Sequence, residues 1–264
     1  MKLWDRGILS WEHYLANSGQ SGLGRQSQLN LDKYIESSVE ALRHGNALFF
    51  EYLLPKREIW RIYREFEDRS VFLDIETTGL GAQGDYITII GLFNGRQIKT
   101  FIRGQNLEDF PAELKNYSVM VTYNGKCFDI PFIESEFKNL KFTQAHIDLR
   151  YPLYRLGYSG GLKQAEINVG IRREKGLEDI DGYLAVILWR KHLEGDERAL
   201  PALIRYNIED VVNLQCLMEF AYNRMIESLP IPIDYLEPRR ETEIDVPFDP
   251  GIVQEIRREM SWVP

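Results

Sequence analysis

Five residues in three distant segments have side chains suited to acid and hydroxyl chemistry. Asp74 and Glu76 lie in Val71-Phe72-Leu73-Asp74-Ile75-Glu76-Thr77-Thr78-Gly79, Asp129 ends Tyr123-Asn124-Gly125-Lys126-Cys127-Phe128-Asp129, and Tyr206-Asn207-Ile208-Glu209-Asp210 carries a phenol and a further acid. Alternate side chains of a strand share a face, so Asp74 and Glu76 point the same way. Carboxylates held close repel, and one takes up a proton near neutrality unless a cation compensates. At helical pitch Tyr206 and Asp210 share one edge of the apolar stripe Ile204, Ile208, Val211, Met218, Ala221. Each residue alone has a plainer reading. Asp74 and Glu76 suit a solvated strand exit, Asp129 a helix cap before Pro131, Tyr206 a core aromatic and Asp210 an exposed acid.

The first segment also carries Gly79-x-Gly81-x-x-Gly84, a pattern used for dinucleotide phosphates. That use needs a helix to open after the glycines and an acid some 20 positions on. Here Tyr86-Ile87-Thr88-Ile89-Ile90 follows, β-branched and strand-like, and 99–105 holds no acid. A loop between antiparallel strands is expected, and no nucleotide cofactor.

The elements that must position these residues follow from periodicity. Strands are predicted over 71–76, 86–93 and 97–102, with Asn94-Gly95 as a hairpin turn whose two central residues tolerate positive φ. Helices are predicted over 107–116, 132–137 after Pro131, 162–169, 183–193 and 200–226, and further strands over 119–123 and 145–149. His146-x-Asp148 reads as a strand end, with Asp148 capping the next turn, rather than as a metal pair. Hairpin strands followed by alternating strands and helices imply an α/β fold with a mixed sheet covered by helices. Residues 1–66 read as a mostly helical extension with a small-residue loop at 19–24, 67–228 as the α/β domain, and 229–264 as a Pro-rich arm with one short helix near 253–260.

The chain has 264 residues, 44% hydrophobic, enough for a sizeable core. Cys127 and Cys216 are its 2 cysteines and suggest neither a disulfide framework nor a zinc site. With no signal-like or membrane-length apolar run, a soluble, cytoplasmic protein is expected. The net charge of −8 argues against broad electrostatic binding of duplex nucleic acid, though not against local neutralisation of phosphate by metal ions. Glu209 and the group Glu178, Asp179, Asp181 read as solvated acids.

In order, D-x-E, N-x3-F-D and Y-x3-D resemble the DEDD superfamily of 3'-5' exonucleases, in the branch with tyrosine in the last motif. DIETTGL, TYNGKCFDIPFI and YNIEDVVNL are most similar to the stand-alone exonucleases of the YprB type and to family B DNA polymerase proofreading domains. The likeness covers about 71–226, with a looser match at LPKREIWRIY. It implies a ribonuclease H-like fold and two divalent ions, Mg2+ or Mn2+, that prefer oxygen ligands. It further implies that Asp74 touches both ions, that Glu76 and Asp210 complete one site, and that Asp129 holds the other largely through water. Tyr206 would orient the attacking water, the place of a histidine in the sister branch. The implied substrate is the 3' end of single-stranded nucleic acid, DNA favoured, and the product a nucleoside 5'-monophosphate. Backbone N–H groups of Thr77, Thr78 and Gly79 would meet the terminal nucleotide and Leu80 would wedge against its base. Asn124, Lys126 and Lys163 are candidate phosphate contacts, the two lysines reading equally as solvated. The alternatives are a ribonuclease D-type exoribonuclease, a structure-selective endonuclease, or a binding module without turnover. Oligomeric state is not legible.

Overall fold

The computed structural model describes residues 3–81, 84–178, 180–237, 242 and 244–261. Val71-Phe72-Leu73 and the apolar run 87–93 lack polar alternation, the pattern of strands buried on both faces. They form β1 (Ser70–Thr77) and β2 (Ile87–Phe93), and every residue of β2 is buried. With β3 (Ile98–Ile102), β4 (Val119–Thr122) and β5 (Ala145–Asp148) they make a sheet of order β3-β2-β1-β4-β5. β2 is antiparallel to β1 and β3, whereas β4 is parallel to β1 and β5. The sheet is therefore mixed, as expected. The C-terminal ends of β1, β4 and β5 share one edge, where open α/β sheets place their ligands.

The hairpin turn sits one residue later than predicted. Asn94 N–H donates to the Gln97 carbonyl at 3.2 Å, so Gly95 and Arg96 are the central pair, and Gly95 alone has positive φ, 81°. Asn94 contributes its side chain instead: Oδ1 accepts from the N–H groups of Arg96 (3.0 Å) and Gln97 (2.8 Å).

The N-terminal region is helical as predicted, with α1 (Trp11–Ala16), α2 (Arg25–Arg43), α3 (Ala47–Leu53) and a 3-10 run over Lys56–Arg69 that breaks at Phe66. Its Trp60, Tyr63 and Phe66 join one core with Phe72, Val119, Ile147 and the long helix that follows, and Trp60 packs edge-on to Tyr222 at 5.6 Å. The segment 107–116 divides into a 3-10 turn and α4 (Phe110–Leu114). α5 (Asp129–Glu136) starts before Pro131, which sits in the first turn where its missing N–H has no helical partner anyway. α6 (Arg150–Arg155) was not legible, being one short stretch around Pro152. α7 (Leu162–Val169), α8 (Gly182–Leu193) and α9 (Ala199–Ile226) lie where expected. In the Pro-rich tail α10 (Gly251–Ser261) buries Ile252, Val253 and Ile256 in the core around α8.

α9 lies directly on β1 and β2, and Gly91 of β2 makes that approach possible. A Cβ there would stand 2.1 Å from Asn207 Oδ1 and 3.2 Å from Val211. No helix among the described residues is long and apolar enough to cross a membrane.

Candidate active site

The sheet edge gathers the three motifs. Asp74 and Glu76 project from one face of β1, and carboxylate oxygens of Asp74, Glu76 and Asp210 lie within 4.8 Å of one another. Asp129 enters as the first residue of α5 rather than as its cap. It is buried, hydrogen-bonded to the Ile75 backbone, and its Oδ1 has no hydrogen-bond partner among the described residues. Asn207 donates from Nδ2 to Asp74 Oδ2 at 3.0 Å, fixing one carboxylate from the helix above. Four acids from three segments thus converge, and Glu76, Asp129 and Asp210 are buried rather than solvated.

Burial raises the pKa of all four. Asp74 and Glu76 are pushed well above the carboxylate range by burial first and then by the charges of Asp210 and Asp129. Asp129 is pushed up to about 7 by burial, against its backbone hydrogen bonds, and Asp210 to about 6 by burial, against the pull of Arg173. Such a cluster is stable only when protonated or when cations supply the missing charge. The donors are all oxygen, which suits hard divalent ions, and the unpartnered Asp129 Oδ1 is a ready ligand atom. Asp74, Glu76 and Asp210 therefore suit a divalent ion, and buried Asp129 is the further candidate that the resemblance names.

Tyr206 is buried one turn before Asp210. Burial, then the charges of Asp210 and Glu76, hold its phenol well above the usual tyrosine range, so it keeps its proton at neutral pH.

Arg173 was missed. Its side chain, 4% exposed, donates from Nε and Nη2 to Glu166 at 2.6 and 2.7 Å, ion-pairs with Asp210, and stacks 5.4 Å from the Tyr206 ring centre. Glu166 also accepts from Asn213 Nδ2 at 3.1 Å. Nothing in Arg172-Arg173-Glu174-Lys175 marks Arg173 out, and only tertiary packing brings it to Asp210. The reading of Glu209 as solvated is also corrected: it is buried, and Oε1 accepts the Glu174 N–H at 2.9 Å. Glu178 is exposed as expected, and Asp181 is exposed yet caps α8 by accepting the Leu184 N–H at 2.9 Å. Asp179 lies outside the described residues.

The candidate substrate contacts are dispersed along the same edge. Thr77 Oγ1 donates to the Gly79 carbonyl at 2.6 Å, while Thr78 N–H is engaged by the Tyr86 carbonyl at 3.0 Å. Asp85 organises the loop by accepting from Gly81 N–H at 3.0 Å, and a Cβ at Gly79 would stand 2.4 Å from its carboxylate. The glycines therefore shape a connection between antiparallel strands, and Leu80 at its tip is 88% exposed. Asn124, at φ 63°, and Lys126 donate backbone N–H groups to Asp148 at 2.8 and 3.1 Å. Asp148 caps the next turn as predicted, through Arg150 N–H at 3.1 Å, and at the same time braces the loop that leads to Asp129. His146 turns to the Thr122 hydroxyl at 2.9 Å. Lys126 Nζ stands 3.9 Å from Glu51 of α3, whereas Lys163 Nζ stands 5.3 Å over the Tyr206 ring and donates to the Glu178 carbonyl at 3.2 Å. Neither lysine is simply solvated.

Among curated proteins, an uncharacterized protein, YprB of Bacillus subtilis (strain 168), is 27% identical over 189 residues, which cover 63% of this chain and 45% of that protein. The chain thus spans less than half of that relative. Solved structures with similarity include the family B DNA polymerase of the archaeon Pyrobaculum calidifontis (16% identity, TM-score 0.44, 60% of this chain and 24% of that one). Brucella melitensis NrnC with bound Mg2+ (17%, 0.42, 62% and 77%) and the Aedes aegypti Nibbler EXO domain (11%, 0.44, 75% and 91%) are others. The sequence profile of a family described as the RNase H superfamily matches residues 71–222. That span is more than half of the 264 residues and runs from β1 into α9 across all four acids and Tyr206, and the chain belongs to the RNase H superfamily.

Proposed function

We propose that this protein is a metal-dependent 3'-5' exonuclease that hydrolyses single-stranded nucleic acid from its 3' end, with DNA the favoured substrate. The observation that carries the reading is the convergence of Asp74, Glu76, Asp129 and Asp210 in a buried cluster whose charge Arg173 offsets only in part. Two Mg2+ or Mn2+ ions held by these four carboxylates would supply the acidification of water and the stabilisation of attacking and leaving oxygens.

The chain's own residues do the rest. Asn207 holds Asp74 in place, and the Asp148-braced loop delivers Asp129 to the same point. Tyr206, kept protonated, is a hydrogen-bond donor that orients water at the cluster's edge rather than a base. The Gly79 backbone and exposed Leu80 frame the terminal nucleotide, the Thr78 N–H being taken by the Tyr86 carbonyl, and the side chains of Asn124, Lys126 and Lys163 are the candidate phosphate contacts. No Ser, Cys or His nucleophile is called for.

The test is digestion of matched 3'-labelled and 5'-labelled DNA and RNA strands with Mn2+, beside Asp210→Asn. Mononucleotides should leave from the 3' end, a circular single strand should resist, and the variant should be inert with its fold intact. Hydrolysis that survives in Asp210→Asn, or none with any divalent ion, would overturn the proposal.

A further inference from the structure

Two cavities of about 330 and 310 Å³ adjoin beside β5, with Lys56, Ile59 and Lys126 as common walls. Together they form one groove. α3 and the 3-10 run bound it on one side, and the β4–α5 loop and α6 on the other. Its rim carries two large exposed rings, Tyr52 (83% exposed) and Tyr151 (54%), and Tyr154 stands one turn further along α6. Lys56, Arg57 and Lys126 bring cations to the same walls, beside the acids Glu51, which Lys126 Nζ approaches to 3.9 Å, and Asp148, on a chain whose net charge is −8.

The location matters as much as the composition. Asp148 and Tyr151 line the groove at the C-terminal end of β5, and β5 is two strands from β1 in the sheet order. At strand spacing that is about 10 Å along the edge that holds the acids. The loop carrying Lys126 is the one that leads into Asp129, so the groove and the acid cluster are joined by one short segment.

We infer that this groove binds single-stranded nucleic acid on the 5' side of the bond to be cut, with phosphates at Lys56, Arg57 and Lys126 and bases stacked on Tyr52 and Tyr151. The inference rests on the exonuclease reading above. Exposed aromatic faces interleaved with cations are what unpaired bases and their backbone require, and a duplex keeps its base faces inside its own stack. The N-terminal region then acts as one wall of a substrate path as well as a cover for the core.

The test is fluorescence anisotropy in EDTA, where no strand is cut, with labelled oligothymidylates from two to about a dozen nucleotides, and in parallel dinucleotide turnover with Mn2+. Tyr52→Ala/Tyr151→Ala should weaken the longest strand by on the order of tenfold or more. Lys56→Gln should lower the slope of log affinity against log salt by about 0.7, a change no merely structural role produces. Dinucleotide turnover and melting temperature should be unchanged in both variants. Wild-type affinity and salt slope retained by the variants would overturn the inference and leave the nuclease reading standing. Failure of the wild-type protein to cut any strand would sink the nuclease reading, while the anisotropy series would still decide whether the groove binds.

Discussion

Arg173→Gln offers the sharpest test of the charge balance at the site. In the wild-type protein one guanidinium, 4% exposed, serves both Glu166 and Asp210. Removing it strands two buried carboxylates, a class of change that costs about 3–5 kcal/mol. For a domain of this size that lowers the melting temperature by roughly 6–20 °C. In EDTA the full loss should be seen. Added Mn2+ should then stabilise the variant more than the wild-type protein, because a cation no longer competes with Arg173 for Asp210. At a hundredfold excess over its dissociation constant, a bound ion returns about 2.7 kcal/mol. A second variant separates charge from packing: Glu166→Gln/Arg173→Gln removes both partners of the bidentate pair and should recover part of the loss. The assay is thermal unfolding of the three proteins with EDTA and across a Mn2+ titration. An Arg173→Gln protein that melts with the wild type in EDTA, or gains no more from Mn2+, would refute the assignment of Arg173 as the cluster's resident countercharge.

Other perturbations probe the same geometry. Glu76→Gln removes one of the mutually repelling buried acids, so the metal-free protein should melt higher than wild type while its Mn2+-induced shift shrinks; a lower melting point in EDTA would contradict the electrostatic reading. Gly91→Ala places a methyl 2.1 Å from Asn207 Oδ1 and should cost about 1–3 kcal/mol, with weaker Mn2+ binding by calorimetry because Asn207 holds Asp74; unchanged metal affinity would show that this support is dispensable. His146, buried and pushed down to about 3, stays neutral in the fold while the unfolded chain protonates near pH 6.5. Its contribution is therefore complete above about pH 6.5 and falls by about 1.4 kcal/mol per pH unit below it, so the wild-type melting temperature should drop more steeply from pH 6.5 to 4.5 than that of His146→Gln. Parallel slopes would refute it.

The strands and long helices were legible because their apolar residues follow a period that burial enforces. β2 has no polar alternation and is buried throughout, and α7 begins and ends where its pattern does. α6 was not legible, since six residues around Pro152 hold too few turns to show a period. The four carboxylates and Tyr206 could be named as candidates because their spacing within each motif is local: Asp74 and Glu76 alternate near the end of β1, Asp129 opens α5, and Tyr206 and Asp210 stand one turn apart within α9. Glu209 was misread for the opposite reason: its burial depends on Glu174, 35 residues earlier, and nothing in Ile208-Glu209-Asp210 announces that partner.

Arg173 and Glu166 make the same point about function. Neither belongs to a motif, yet the pair links α7 to α9 and sets the charge that Asp210 meets. A cluster of acids alone repels itself and loosens the elements that carry it. One buried guanidinium tied back to Glu166 relieves part of that repulsion without offering a donor to the other three acids, so Asp74, Glu76 and Asp129 keep their need for cations. On the proposed reading, the site would then be folded before any ion binds and would be completed by one.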